Sequence, residues 1–262
     1  MPVQNYELLN SNADVTTTKT LLHEAIPVTG TIVSGTYGPY PDPNNIKNYT
    51  HGMFQSVYDY PYLSSSANHI FDLTMGYDEG SALSQSAGGI MQSKKINMYN
   101  QFAQVLLGYT GSANQVEIFE SDLDYGDDDR QMKESFFVSF SRLLSKDQIK
   151  PGTFSIAVGD GNWATPYSSL KTLTDASASV TQGTKTTPGG NYGVLYSGSN
   201  ADSRCGLVFY EAGIAILSSS VFASAQFLVT GAVTHSAEQQ FMSGTITGSC
   251  SALRHRINNI SY

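Results

Sequence analysis

A chain of 262 residues with 40% apolar residues can bury the core of one large domain or two small ones, yet its charged fraction is only 14%, against roughly 25% in an average soluble domain. The net charge is −8 with 14 Lys plus Arg, which argues against a surface that tracks nucleic-acid phosphates and against a polybasic membrane contact. With 24 Gly and 16 Tyr, the chain presents neutral polar groups and aromatic rings, a surface suited to permanent burial against neighbours because few ions need desolvation.

The N-terminus, MPVQNYELLN, lacks a basic stretch followed by an apolar one, so no secretory signal is expected. The longest purely apolar runs are a few residues, such as VLL at 105–107, so no membrane-spanning helix is expected either. Residues 1–60 show no helical periodicity. PVTGTIVSGTYG (27–38) and YPDPNN (40–45) mix β-formers with Gly and Pro, which reads as one or two short strands or as an extended arm ordered against a partner. YDYPYL (58–63) gathers Tyr58, Tyr60 and Tyr62 around a proline, a composition favoured at interfaces.

HIFDLTMGYD (69–78) alternates as a strand, and GSALSQSAGG (80–89) reads as a small-residue loop. KKINMYNQFAQVLLGY (94–109) is the clearest helix, with Ile96, Tyr99, Phe102, Ala103 and Leu106 on one face and Gly108 as its C-cap. QVEIFES (115–121) reads as a short strand leading into the acidic loop DLDYGDDDR (122–130). ESFFVSFSRLLS (134–145) is ambiguous, with strand character first and a helical turn beginning near Arg142. TFSIAVG (153–159) reads as a strand with Phe154, Ile156 and Val158 on one side, and residues 160–191 are turn-rich.

YGVLY (192–196), CGLVFY (205–210) and AGIAILSSSVF (212–222) read as consecutive strands of an antiparallel meander, with FLVTGAV (227–233) as a further strand. The tail reads as a short strand, TIT (245–247), followed by a helix through Leu253 and Ile257. The fold class expected is therefore a β-rich α+β architecture: antiparallel sheets, one prominent helix near 95–107 and an extended N-terminal arm. Three regions follow, an arm over 1–60, an α+β region over 61–160 and a β-rich meander region over 161–262, with a linker near 155–165. Because the sequence stops at INNISY without an obvious terminating element, a continuation beyond it is expected.

HIFDLTMGYD, KKINMYNQFAQVLLGY, ESFFVSFSRLLSKDQIKPGTF (134–154), YGVLYSGSNADSRCGLVFYEAGIAIL (192–217) and RHRINNISY (254–262) together resemble virion structural proteins of contractile-tailed phages of marine bacteria. These blocks cover about a third of the chain and keep their order. The resemblance implies a structural component of a bacteriophage tail or baseplate. It also implies a sequence that continues beyond ISY, and no catalytic motif.

Motifs for catalysis are sparse. There is no G-x-S-x-G elbow, no P-loop and no H-E-x-x-H pair. His23, His51, His69, His235 and His255 lie apart without metal-ligand spacing, and His255 in RHR reads as a solvated or interface residue. Cys205 and Cys250 sit in apolar surroundings and read as buried free thiols. Ser168 and Lys171 match S-x-x-K without its companion motifs. The crowded carboxylates Asp122, Asp124 and Asp127, with Asp128 and Asp129, form a candidate Ca²⁺ site, although Gly126 and Lys133 break the EF-hand spacing; otherwise they are a solvated loop. No other cofactor is expected.

The function expected is assembly through contacts with copies of the chain and with other virion proteins, without nucleic acid or membrane, in a virion made in the host cytoplasm. Two alternatives remain open. One is a receptor- or glycan-binding module of a tail fibre, using Tyr58, Tyr60, Tyr62 and Trp163. The other is a tail-associated hydrolase using Asp122, Asp124 and Glu134.

Overall fold

Short apolar strands build most of this protein; several of the longest are buried almost continuously, as a strand is when both of its faces are covered. The computed structural model describes residues 25–26, 43–84, 89–109, 115–119, 131–145, 147–176, 184–198, 203–223 and 226–262. In chain order the strands are β1 (Ala25–Ile26), β2 (Ile46–Asn48), β3 (Gln55–Tyr58), β4 (His69–Tyr77), β5 (Glu134–Phe140), β6 (Ser155–Gly159) and β7 (Leu170–Thr174). They continue with β8 (Thr184–Thr187), β9 (Gly190–Ser197), β10 (Arg204–Phe209), β11 (Ile214–Ser218), β12 (Leu228–Thr230), β13 (Val233–His235) and β14 (Ile257–Ser261). The helices are α1 (Ile90–Leu106), α2 (Arg142–Ser145), α3 (Ala237–Met242) and α4 (Ile246–Arg256).

The chain is β-rich. Twelve strands form one antiparallel sheet in the order β1-β14-β6-β7-β9-β10-β11-β5-β4-β3-β2, with β8 added on β9, while β12 and β13 form a separate hairpin. The link between β7 and β9 is narrow, only Leu173↔Ser197 and Thr174↔Tyr196, and it divides the sheet into a short limb and a long limb. One core fills the space between them. Ile156, Val158, Leu173, Ile257 and Ile260 of the short limb belong to the same buried cluster as Phe71, Leu73, Phe136, Val138 and Leu217 of the long limb. Phe140 on β5 meets Phe154 at 5.9 Å and Tyr262 at 5.3 Å between ring centroids, which ties the limbs together directly.

The opposite face of the long limb carries a second core. Phe137, Leu207, Phe209 and Ile216 are covered there by Tyr99, Ala103 and Leu106 of α1, with Phe119 and Met132 alongside. Burial on both faces explains why ESFFVSF shows no clean alternation: Phe136, Phe137 and Val138 are all fully buried. Helix α1 lies directly on β4 at Gly76, where a Cβ would sit 2.5 Å from the Lys95 carbonyl oxygen and 2.7 Å from the Tyr99 nitrogen. The helix ends at Gly108, whose φ of +94° and bond to the Ala103 carbonyl make the expected left-handed cap.

Several elements differ from the sequence reading. Helix α1 begins at Ile90, earlier than the Lys94 start expected, and buries Lys95 and Met98 while Ile96 and Phe102 are only half-buried. Residues 115–119 make one isolated bridge, Val116 to Tyr109, and no strand; Phe119 serves as a core plug under α1. Within the turn-rich stretch, β7 and β8 are real strands. TIT is not a strand, because the Thr245 hydroxyl accepts from the Gly248 amide at 3.0 Å and starts α4 there. Helix α3 begins with a capping box between Ser236 and Gln239. The strand read over 227–233 is the hairpin of β12 and β13, and that read over 212–222 stops at Ser218, which caps a 3₁₀ turn over Ser219–Phe222. Residues 46–58, inside the expected arm, form the paired strands β2 and β3; residues 1–24 and 27–42 lie outside the described residues.

Candidate functional site

Antiparallel pairing sets one row of side chains across the outer face of the long limb. Lys47 lies opposite Ser56, Ser56 opposite Asp72, Asp72 opposite Ser139, and Ser139 opposite Ile214. Beyond α1's contact with Gly76 this row is only partly covered. A groove of about 330 Å³ remains, walled by Phe54 and by Met98, Phe102 and Val105 of α1, with Asp72 and Ser139 in its floor. That volume lies at the small end of ligand-sized clefts. Phe102 is fixed in the wall by stacking on Phe137 at 4.3 Å.

Asp72 is the one charged residue among those lining the groove. Its Oδ1 accepts two hydrogen bonds, from the Ser56 hydroxyl at 2.5 Å and from the His69 Nε2–H at 2.9 Å, and Ser56 Oγ lies 3.1 Å from the Tyr49 hydroxyl. Ser, His and Asp therefore meet, but in an order unlike that of a nucleophile–base–acid relay. The imidazole and the hydroxyl both donate to the carboxylate, so His69 is not placed to take the Ser56 proton. What the arrangement does is hold a carboxylate still.

Beside this row lies an aromatic surface. Tyr49 stacks with His51 at 5.2 Å and tilts against Phe54 at 4.5 Å, and the Lys47 ammonium sits 4.9 Å from the Tyr49 ring centre. Tyr58 meets Tyr62 at 6.3 Å and His69 at 5.4 Å, and burial pushes the Tyr58 phenol up. Tyr60, Tyr62 and Leu63 are exposed by 48%, 36% and 85%, an unusual concentration for one short loop.

The other residues read from sequence fall elsewhere. Asp122, Asp124, Asp127, Asp128 and Asp129 lie outside the described residues, as does His23. Glu134 opens β5 and accepts a hydrogen bond from the Ser81 hydroxyl. Trp163 does not join the tyrosines; it stacks on His255 at 3.9 Å, and the His255 Nε2–H donates to the Trp163 carbonyl at 2.8 Å. Of the solvated or interface position expected for His255, the solvated one does not hold: α4 turns it inward against Trp163, and it is buried. Burial lowers its pKa. Ser168 donates to the Thr165 carbonyl, while Lys171 pairs with Asp160 at 2.9 Å, so S-x-x-K brings no ammonium to the hydroxyl. Cys205 and Cys250 are buried free thiols.

Sequence reasoning missed the convergence of Ser56, His69 and Asp72. Its one signal was an aspartate within the otherwise apolar strand HIFDLTMGY. Among the described residues no group of three His, Cys, Asp or Glu side chains converges as a metal site, and no helix is long and apolar enough to cross a membrane. Comparison with protein-family models, curated proteins and solved structures found no match.

Proposed function

We propose that this chain is a non-enzymatic structural subunit of a bacteriophage particle, in the tail or baseplate, acting through contacts with copies of itself and with other virion proteins. The observation that carries the reading is the exposed Tyr60, Tyr62 and Leu63 group next to β2, the end strand of the long limb among the described residues. Tyrosine gives large contact area with few torsions to freeze, and an end strand offers main-chain groups for pairing. The low charged fraction, 14%, and the resemblance of five ordered sequence blocks to virion proteins support it. In this reading the N-terminal residues form an arm that reaches a neighbouring subunit in an α+β architecture, and the chain is made in the host cytoplasm and ends in the virion.

The test is the mass of the purified chain by analytical ultracentrifugation, together with its presence in purified particles. An oligomer is expected for the natural sequence, and a smaller species for Tyr60→Ser combined with Tyr62→Ser and Leu63→Ser, with unchanged circular dichroism. A monomer that is absent from particles overturns the proposal. The Tyr58–Tyr62 ring pair also suits a second reading, stacking on a sugar of a host receptor, for which a glycan array is the discriminating measurement.

A further inference from the structure

We infer that the groove beside α1 is a docking site for a lysine- or arginine-bearing segment of a partner polypeptide, its cationic head on Asp72 and its apolar stem between Phe54 and Phe102. The inference rests on the subunit reading above and names the chemistry that one contact surface would take.

Charge complementarity selects a cation. Asp72 alone is charged among the lining residues, and its side chain keeps 35% of its surface accessible. Ser56 and His69 both donate to Oδ1; Oδ2 receives no hydrogen bond from the described residues. The carboxylate is held in place before any partner arrives, so little side-chain freedom is lost on pairing. The walls are apolar, which suits the methylene stem of a long basic side chain better than a hydrated metal ion. A neutral apolar guest would leave Asp72 partly desolvated without compensation, which costs affinity.

The shape selects a polypeptide over a free amine. The groove is small, about 330 Å³, and one of its walls ends in Val105, which is 68% exposed. Tyr109, 51% exposed, follows at the end of the helix, so apolar surface extends beyond the groove. A segment with apolar residues flanking the basic one would cover Val105 as well as fill the floor. A small amine would leave it in water.

The test is calorimetric titration of the full chain with acetyl-Leu-Lys-Leu-amide, with the same peptide carrying norleucine for lysine, and with phenethylammonium. The lysine peptide is expected to bind saturably and the norleucine peptide about fivefold more weakly, the size of a half-exposed ion pair. Asp72→Asn should bring the lysine peptide to the norleucine level while leaving norleucine binding unchanged. Ser139→Leu, which fills the floor beside Asp72 while leaving the carboxylate's charge in place, should weaken both peptides and serves as the check if Asp72→Asn does not fold. Equal binding of the two peptides, no binding by either, or an unaltered Ser139→Leu overturns the inference. So does phenethylammonium binding that depends on Asp72 while the peptides fail. A chain that enters particles yet binds neither peptide removes this inference alone, whereas peptide binding by a monomer absent from particles removes the subunit reading alone.

Discussion

Lys95 is fully buried on α1, and no carboxylate among the described residues meets it. Its ammonium donates to the Gln240 carbonyl at 3.2 Å and to the Phe241 carbonyl at 2.5 Å, near the C-terminal end of α3, and lies 5.7 Å from the Tyr77 ring centre. Burial pushes its pKa from 10.5 down to about 8. The unfolded chain therefore holds this proton more tightly than the folded one. The stability that Lys95 contributes is complete above pH 10.5 and is lost as pH falls through about 8. Over the whole window the shift corresponds to roughly 3 kcal/mol, of which roughly 1 kcal/mol falls between pH 7 and pH 9. Lys95→Met keeps the length of the side chain and removes the proton, at the cost of leaving two carbonyls without a donor. Its absolute stability mixes those two effects, but its pH dependence does not. Urea denaturation at pH 7, 8 and 9 should show the natural chain gaining roughly 1 kcal/mol relative to Lys95→Met as pH rises. Parallel curves for the two proteins would refute a desolvated ammonium at this position.

Gly76→Ala should destabilise by at least the 1–3 kcal/mol or so of an overpacked core, since its Cβ would strike the main chain of α1 at Lys95 and Tyr99; a thermal melt measures it. Tyr210→Phe should cost about 1–3 kcal/mol near neutral pH, because the Tyr210 hydroxyl donates at 2.9 Å to the buried Asp175 carboxylate, which also accepts from the Gly152 amide at 2.7 Å. Burial raises the Asp175 pKa, so the native state favours its protonated form and loses that stability as pH rises through the folded value. Removing the donor raises the pKa further, and the penalty of Tyr210→Phe should accordingly be smaller at pH 4 than at pH 7 in paired urea titrations.

What could be read from sequence tracks how completely one periodicity controlled each segment. HIFDLTMGY, CGLVFY and SIAVG are short apolar, β-branched or aromatic runs, and each is a strand where the sequence placed it, although the first two are buried almost continuously because both faces of the long limb are covered. LKTLT is a strand too, but only Leu173 of its five residues is buried, so nothing in its pattern marks it. TIT carries two β-branched threonines, yet Thr245 is worth more as a helix cap than as a strand residue, and local hydrogen bonding overrides propensity there. The groove was beyond reach for a different reason. Its floor joins residues of β4, β5 and β11, up to 142 positions apart between Asp72 and Ile214, and only the register brings them into one row. The paired tyrosines at 58 and 62 were visible as a cluster, whereas Trp163, grouped with them by composition, belongs to α4's packing.

The buried cations show how a chain with few charges keeps its frame rigid. Arg256, fully buried, donates to the carbonyls of Gly159, Gly161, Phe227 and Gln226, and burial lowers its pKa to about 10. It thereby ties the end of β6 to the segment before β12, as Lys95 ties α1 to α3. Each cation spans two stretches far apart in sequence, and each satisfies carbonyls that would otherwise lie unpaired in a dry interior. Main-chain acceptors do this without adding a second desolvated ion, whose burial is the main expense of an internal salt bridge. The consequence for the outer face is direct. Lys95 ties α1, the wall of the proposed docking groove, to α3 from behind, while the carboxylate of Asp72 in its floor is held separately by the Ser56 and His69 donors.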